Sequence, residues 1–229
     1  MSEFAPPQPQ PPQPQAQLVR RRAPATRFLL LAILAGFVFE VVTGAWKNPG
    51  ILVRWSNIGE LVFQYGEYWR LLTAMFLHGD GTPKMTILHL AVNALSLAQL
   101  GTLFERTFGT WRFVTVYFVA GLLASLSSAY LSDASSVGAS GAIFGIVGAF
   151  VTAVRFSPQY RNHRMARSLV NQLVFWTAAN LIIGFQIPKI DMSAHIGGLV
   201  AGLILGAILP HPPQPPPPPR EAVIDVQPD

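Results

Sequence analysis

Four side chains in this sequence are of types that do acid–base or nucleophilic chemistry and stand where such side chains are costly. His89 and Asn93 lie four apart in "HLAVN", Ser140 lies in "GASGAIFG" and His195 in "SAHIGGLVAG", all in long apolar stretches. Ionisable and polar groups in such stretches need a partner or a task. Residues four apart share a helical face, so His89 and Asn93 point the same way. A histidine beside a serine hydroxyl takes its proton and makes it a nucleophile, the smallest unit of covalent hydrolysis. No carboxylate inside an apolar block is well placed as a third member; Asp191 precedes the last block and suits a helix cap. The economical expectation is a Ser140–His195 dyad.

Each residue alone has a blander interpretation. Serine among glycines usually serves helix packing, and His89 alone reads equally well as a buried, hydrogen-bonded histidine. The hydrolase pattern G-x-S-x-G also fails, because Ala142 stands where its last glycine should be.

The elements that must position these groups follow from composition. Of 229 residues, 51% are hydrophobic and only 12% charged, against about 25% charged in a soluble domain. With a mean hydropathy of +0.38, this indicates an integral membrane protein in contact with the lipid bilayer. The absence of cysteine excludes disulfides and thiolate metal sites. The net charge of +5 is not accompanied by a basic stripe with interleaved aromatics, so no nucleic-acid partner is expected.

Residues 1–27 and 210–229 are proline-rich and are expected to be disordered cytoplasmic tails with polyproline II character. They would suit proline-binding domains, although solvated tails are the simpler expectation. Residues 28–209 hold six apolar blocks: Phe28–Trp46, Met85–Leu103, Trp111–Leu131, Val137–Val154, Ser168–Phe185 and Met192–Leu209. Each is long enough, or nearly so, to cross a ~30 Å hydrocarbon layer as a helix. None alternates with period two, which argues against a barrel. The fold class expected is an all-α, polytopic six-transmembrane-helix bundle.

With the N-terminus inside, Arg20, Arg21, Arg22, Arg27, Arg106, Arg112, Arg155, Arg161, Arg164, Arg167 and Arg220 collect on the cytoplasmic side. Lys47, Arg54, Arg70, Lys84 and Lys189 fall outside. Both termini are therefore expected in the cytoplasm. The first outer connection, from Lys47 to Lys84, contains "ELVFQYGEYWRLLTAMFLH", amphipathic enough to lie in the interface.

In this topology blocks two, four and six all enter from outside, and each carries its polar residue roughly 5–12 Å below that end. Three helices thus bring unusual side chains to one depth. Glycines supply closeness: Gly198 and Gly202 follow His195 on much the same face, and Gly141 and Gly145 form a small-xxx-small pair. A channel or transporter would place polar groups at several depths and commonly shows a repeat between halves, and neither feature is present.

Taken together, these residues resemble the rhomboid family of intramembrane serine proteases. The motifs follow the family's order: "YWRLLTAMFLH" from Tyr68, "HLAVN" from His89, "GASGAIFG" from Gly138 and "AHIGGLVAG" from Ala194. The resemblance covers about Glu67 to Leu209 and implies the following. Ser140 would be the nucleophile and His195 the general base. His89, Asn93 and the Ser140 backbone N–H would stabilise the oxyanion. Gly138 matches the glycine two before the serine. Phe144 takes a position where relatives carry an aromatic ring, often Tyr, that packs on the histidine. Trp69 and Arg70 match a Trp-Arg element that anchors the first loop at the interface. Glu105–Arg106 resembles a Glu-x-Arg element with one residue fewer.

The resemblance further implies an intramembrane serine endopeptidase that cleaves single-span membrane proteins near their outer end, without metal or organic cofactor. A bacterial inner membrane is the expected location, with the active site toward the outer side. The alternative is a non-catalytic relative that binds transmembrane helices; such relatives usually lack the serine or the histidine, and this chain keeps both.

Overall fold

The computed structural model describes residues 22–158, 160–187 and 190–209; the two tails, apart from residues 22–27, lie outside these. The described chain is all-α, with one isolated antiparallel bridge between Asn57 and Ser136. Helix α1 spans Pro24–Thr43 and begins four residues ahead of the apolar block expected there. Proline fits a helix start, where its missing N–H is not needed. The next two N–H groups are satisfied from far along the chain. Glu105 accepts from Ala25 N at 3.0 Å and Thr26 N at 2.8 Å, and also from the hydroxyls of Thr26 and Thr110.

The first connection contains short helices α2 (Pro49–Leu52), α3 (Gly59–Phe63) and α4 (Arg70–Thr73), followed by a 3₁₀ turn at Ala74–Phe76. Helix α5 (Pro83–Ser96) passes through a π turn at Leu97–Gly101 into α6 (Thr102–Phe108), so one continuous helical segment runs well past the expected end at Leu103. Helix α7 spans Thr110–Leu131, α8 Ser140–Phe156, α9 Arg164–Gly184 and α10 Met192–Ile208.

Two boundaries depart from expectation in ways that matter. Helix α8 starts at Ser140, not Val137, so the serine opens its helix instead of lying a turn inside it. Helix α9 starts at Arg164, four residues before the expected apolar edge, because arginines with long aliphatic stems continue a helix readily.

Helix α8 is the centre of the bundle. Gly141, Ala142, Gly145, Ile146, Gly148, Ala149 and Phe150 are all buried, and α8 packs chiefly on α7 and α10. Beta carbons added at Gly198 and Gly202 would overlap the carbonyl oxygens of Gly141 and Gly145. Side chains at those positions would hold α8 and α10 apart; glycine lets the backbones touch. At the other end of α8, Phe104, Phe108, Phe113, Tyr117 and Phe150 interlock edge-on or tilted.

Among the described residues three helical segments, Pro24–Thr43, Pro83–Phe108 and Thr110–Leu131, are long and apolar enough to cross a membrane, and α8 and α10 are apolar but shorter. Leu31, Val38, Leu88, Val92, Phe175 and Trp176 point outward, an arrangement suited to lipid. The protein is an integral membrane bundle.

Candidate active site

Position Ser140 is set by the residue two before it. Gly138 has φ +125°, a conformation that strains any residue with a side chain. Its N–H donates to Ala74 O at 2.8 Å, tying the approach of α8 to the end of the first loop. This extended, hooked entry is why the helix opens at Ser140. An opening residue keeps its backbone N–H free of the helical ladder, at the positive end of the helix dipole.

His195 is the fourth residue of α10, whose start is capped by Asp191 accepting from Ala194 N at 3.0 Å. Across the glycine seam, His195 Nε2 lies 2.8 Å from Ser140 Oγ. Phe144, one turn after Ser140, stacks on the imidazole with centroids 4.4 Å apart and planes inclined 17°. Gly198 and Gly202 form the seam already described and so set the separation of the two helices.

His89 and Asn93 stand on α5. His89 Nδ1 donates to the carbonyl of His78 at 3.2 Å, since a carbonyl only accepts. Its Nε2 would lie 2.7 Å from a Cβ at position 138, so Gly138 is what admits the ring next to Ser140. Asn93 is buried, and one hydrogen of its Nδ2 goes to His89 O at 2.9 Å, leaving the second uncommitted.

Trp69 and Arg70 are part of the loop's internal frame. Arg70 is buried, donates to the carbonyls of Val53 and Ser56 at 2.9 and 2.8 Å, and pairs with Glu67. Its guanidinium also lies over the Trp69 ring, whose edge meets Trp55. The loop is thus fastened to itself through Arg70.

Two buried groups beside the site escaped the sequence analysis. His78 sits behind His89, ring to ring at 5.1 Å. Burial, aided by the neighbouring His89, pushes the His78 imidazole down to about 3. Glu40 on α1 is fully buried and accepts from the N–H groups of His78 and Gly79. A carboxylate inside an apolar block was a readable signal, by the same rule that singled out His89.

A sequence model of the Rhomboid domain matches residues 65–212, well over half of the chain. The chain belongs to the rhomboid family. This rhomboid is 37% identical over 183 residues to Rhomboid protease GluP of Bacillus subtilis, an alignment covering 80% of this chain and 34% of that protein. It is 37% identical over 193 residues to RHOMBOID-like protein 5 of Arabidopsis thaliana, covering 81% and 59% respectively. Rhomboid protease AarA of Providencia stuartii is 29% identical over 214 residues, covering 81% and 73%. The chain thus spans only about a third of the first relative and under two thirds of the second.

Proposed function

We propose that this rhomboid is an intramembrane serine endopeptidase whose Ser140 and His195 form a catalytic dyad. The observation that carries the proposal is the 2.8 Å approach of His195 Nε2 to Ser140 Oγ, two residues 55 apart on separate apolar helices. Their membership of a family that includes named proteases supports it.

In the proposed reaction Ser140 Oγ attacks a peptide carbonyl carbon while its proton passes to His195 Nε2. The tetrahedral oxyanion receives the Ser140 backbone N–H and the uncommitted hydrogen of Asn93. His89 donates from Nε2 only when the ring carries a second proton, since its Nδ1–H is already given to the His78 carbonyl. The intermediate then expels the amine, which takes the proton held by His195. Water, deprotonated by the same imidazole, hydrolyses the acyl-enzyme and frees Ser140.

The proposed substrates are single-span membrane proteins, cut near the outer end of the span. The proposed topology has six spans with both termini cytoplasmic, in a bacterial inner membrane. The short α8 and α10 are lodged among longer helices, so they need not match the full hydrocarbon thickness alone.

The test is cleavage of a panel of single-span proteins by purified enzyme in liposomes, with fluorophosphonate labelling alongside. Wild type should cleave and label, whereas Ser140→Ala and His195→Ala should do neither while keeping their helical content. Normal cleavage by either variant overturns the dyad. Capture of the spans without cleavage or labelling by wild type would mark a helix-binding protein instead.

A further inference from the structure

We propose that Glu40 is a positioning residue for this site, aiming His89 through a single peptide unit; the proposal rests on the reading of His89 as part of the hydrolytic centre. Glu40 lies near the C-terminal end of α1 and has no exposed surface. A buried carboxylate is costly unless donors surround it. Among the described residues its donors are backbone groups alone. Oε1 accepts from Gly79 N at 2.6 Å and His78 N at 2.9 Å, and Oε2 accepts from His78 N at 3.0 Å.

The consequence lies in which peptide is gripped. The N–H of Gly79 and the C=O of His78 belong to one planar trans unit, and they point in opposite directions. Fixing the N–H edge on Glu40 therefore aims the C=O edge, and that oxygen is the acceptor of His89 Nδ1 at 3.2 Å. With Nδ1 held, the imidazole turns Nε2 toward Gly138, where it lies 2.7 Å from the place a Cβ would occupy. Glu40 thus sets both the tautomer and the aim of His89 without approaching the reacting atoms. A residue that merely fastens the loop would have no reason to act through His89 in particular.

The test uses the full chain in liposomes and reads kcat, KM and the rate of fluorophosphonate labelling. Glu40→Ala should lower kcat by about 10- to 100-fold, the range for a misplacement near 1 Å, with KM little changed. Glu40→Gln, whose amide oxygen still accepts, should restore most of the rate. Glu40→Ala added to His89→Ala should cost nothing further; full additivity of the two losses overturns the proposal. An arm independent of activity follows nitrogen-15-labelled histidine by NMR. His89 should show a hydrogen-bonded Nδ1–H in wild type and lose it in Glu40→Ala; an unchanged signal overturns the proposal, even where no substrate is cleaved. An inactive wild type with the expected NMR change would sink the hydrolytic reading and leave the Glu40–His89 coupling intact. Should Glu40→Ala fail to fold, Glu40→Asp, which withdraws the acceptor by one methylene, is read in the same ways.

Discussion

The imidazole of His195 lies flat on the phenyl ring of Phe144, centroids 4.4 Å apart. Phe144 is on the helix of Ser140, so the ring that steadies His195 moves with the serine. Aromatic pairs contribute about 0.5–1.5 kcal/mol beyond burial, and about 1.4 kcal/mol in a barrier is tenfold in rate. Phe144→Leu should therefore reduce kcat by about threefold to tenfold with little change in KM, while Phe144→Tyr retains activity. Steady-state cleavage of one substrate by the three proteins checks this; a Leu variant as fast as wild type removes the steadying role.

The glycine seam makes a harsher prediction. A methyl at Gly202 would overlap the Gly145 carbonyl, which is backbone and cannot swing aside. Gly202→Ala should cost about 1–3 kcal/mol of stability and suppress labelling of Ser140, because parting α8 from α10 parts the serine from the histidine. Thermal unfolding in detergent and labelling rate should fall together. A variant that labels normally would show that the contact distance is not set here.

His78 predicts a dependence of stability on pH. Burial holds its imidazole down to about 3 in the folded protein, against 6.5 for an unperturbed ring. Between those values the unfolded chain binds a proton that the folded one refuses. The contribution of His78 is thus complete above pH 6.5 and is lost progressively as pH falls toward 3. His78→Phe should make the fall in unfolding temperature between pH 7 and pH 4.5 shallower by one proton's worth. An identical slope in the variant would mean that the His78 ring does not titrate as its burial requires.

Ser140, His195, His89 and Asn93 were legible because each is a polar group in an apolar run, and glycine spacing showed which helices could touch. What was hidden depended on contacts distant in sequence. Hydropathy is continuous through Val137, so it cannot show that Gly138 bonds Ala74 and forces α8 to open at Ser140. The start of α1 at Pro24 was unreadable for a similar reason: its cap is Glu105, some 80 residues away. Arg70 was expected to anchor the first loop at the interface; the carbonyls its guanidinium binds are ones that only folding brings within reach. Glu40 was missed differently. It was visible as an acid among Phe39, Val41 and Val42, but its donors are backbone groups with no side-chain signature.

The fusion of α8 to α10 through bare backbone divides the molecule into a stiff keel and looser planking. Helix α9 has only Gly184 buried and leans on the bundle through side chains such as Leu169, Val170 and Leu173. Its seat is side chain against side chain, whereas Ser140 and His195 are riveted to the keel, backbone on backbone.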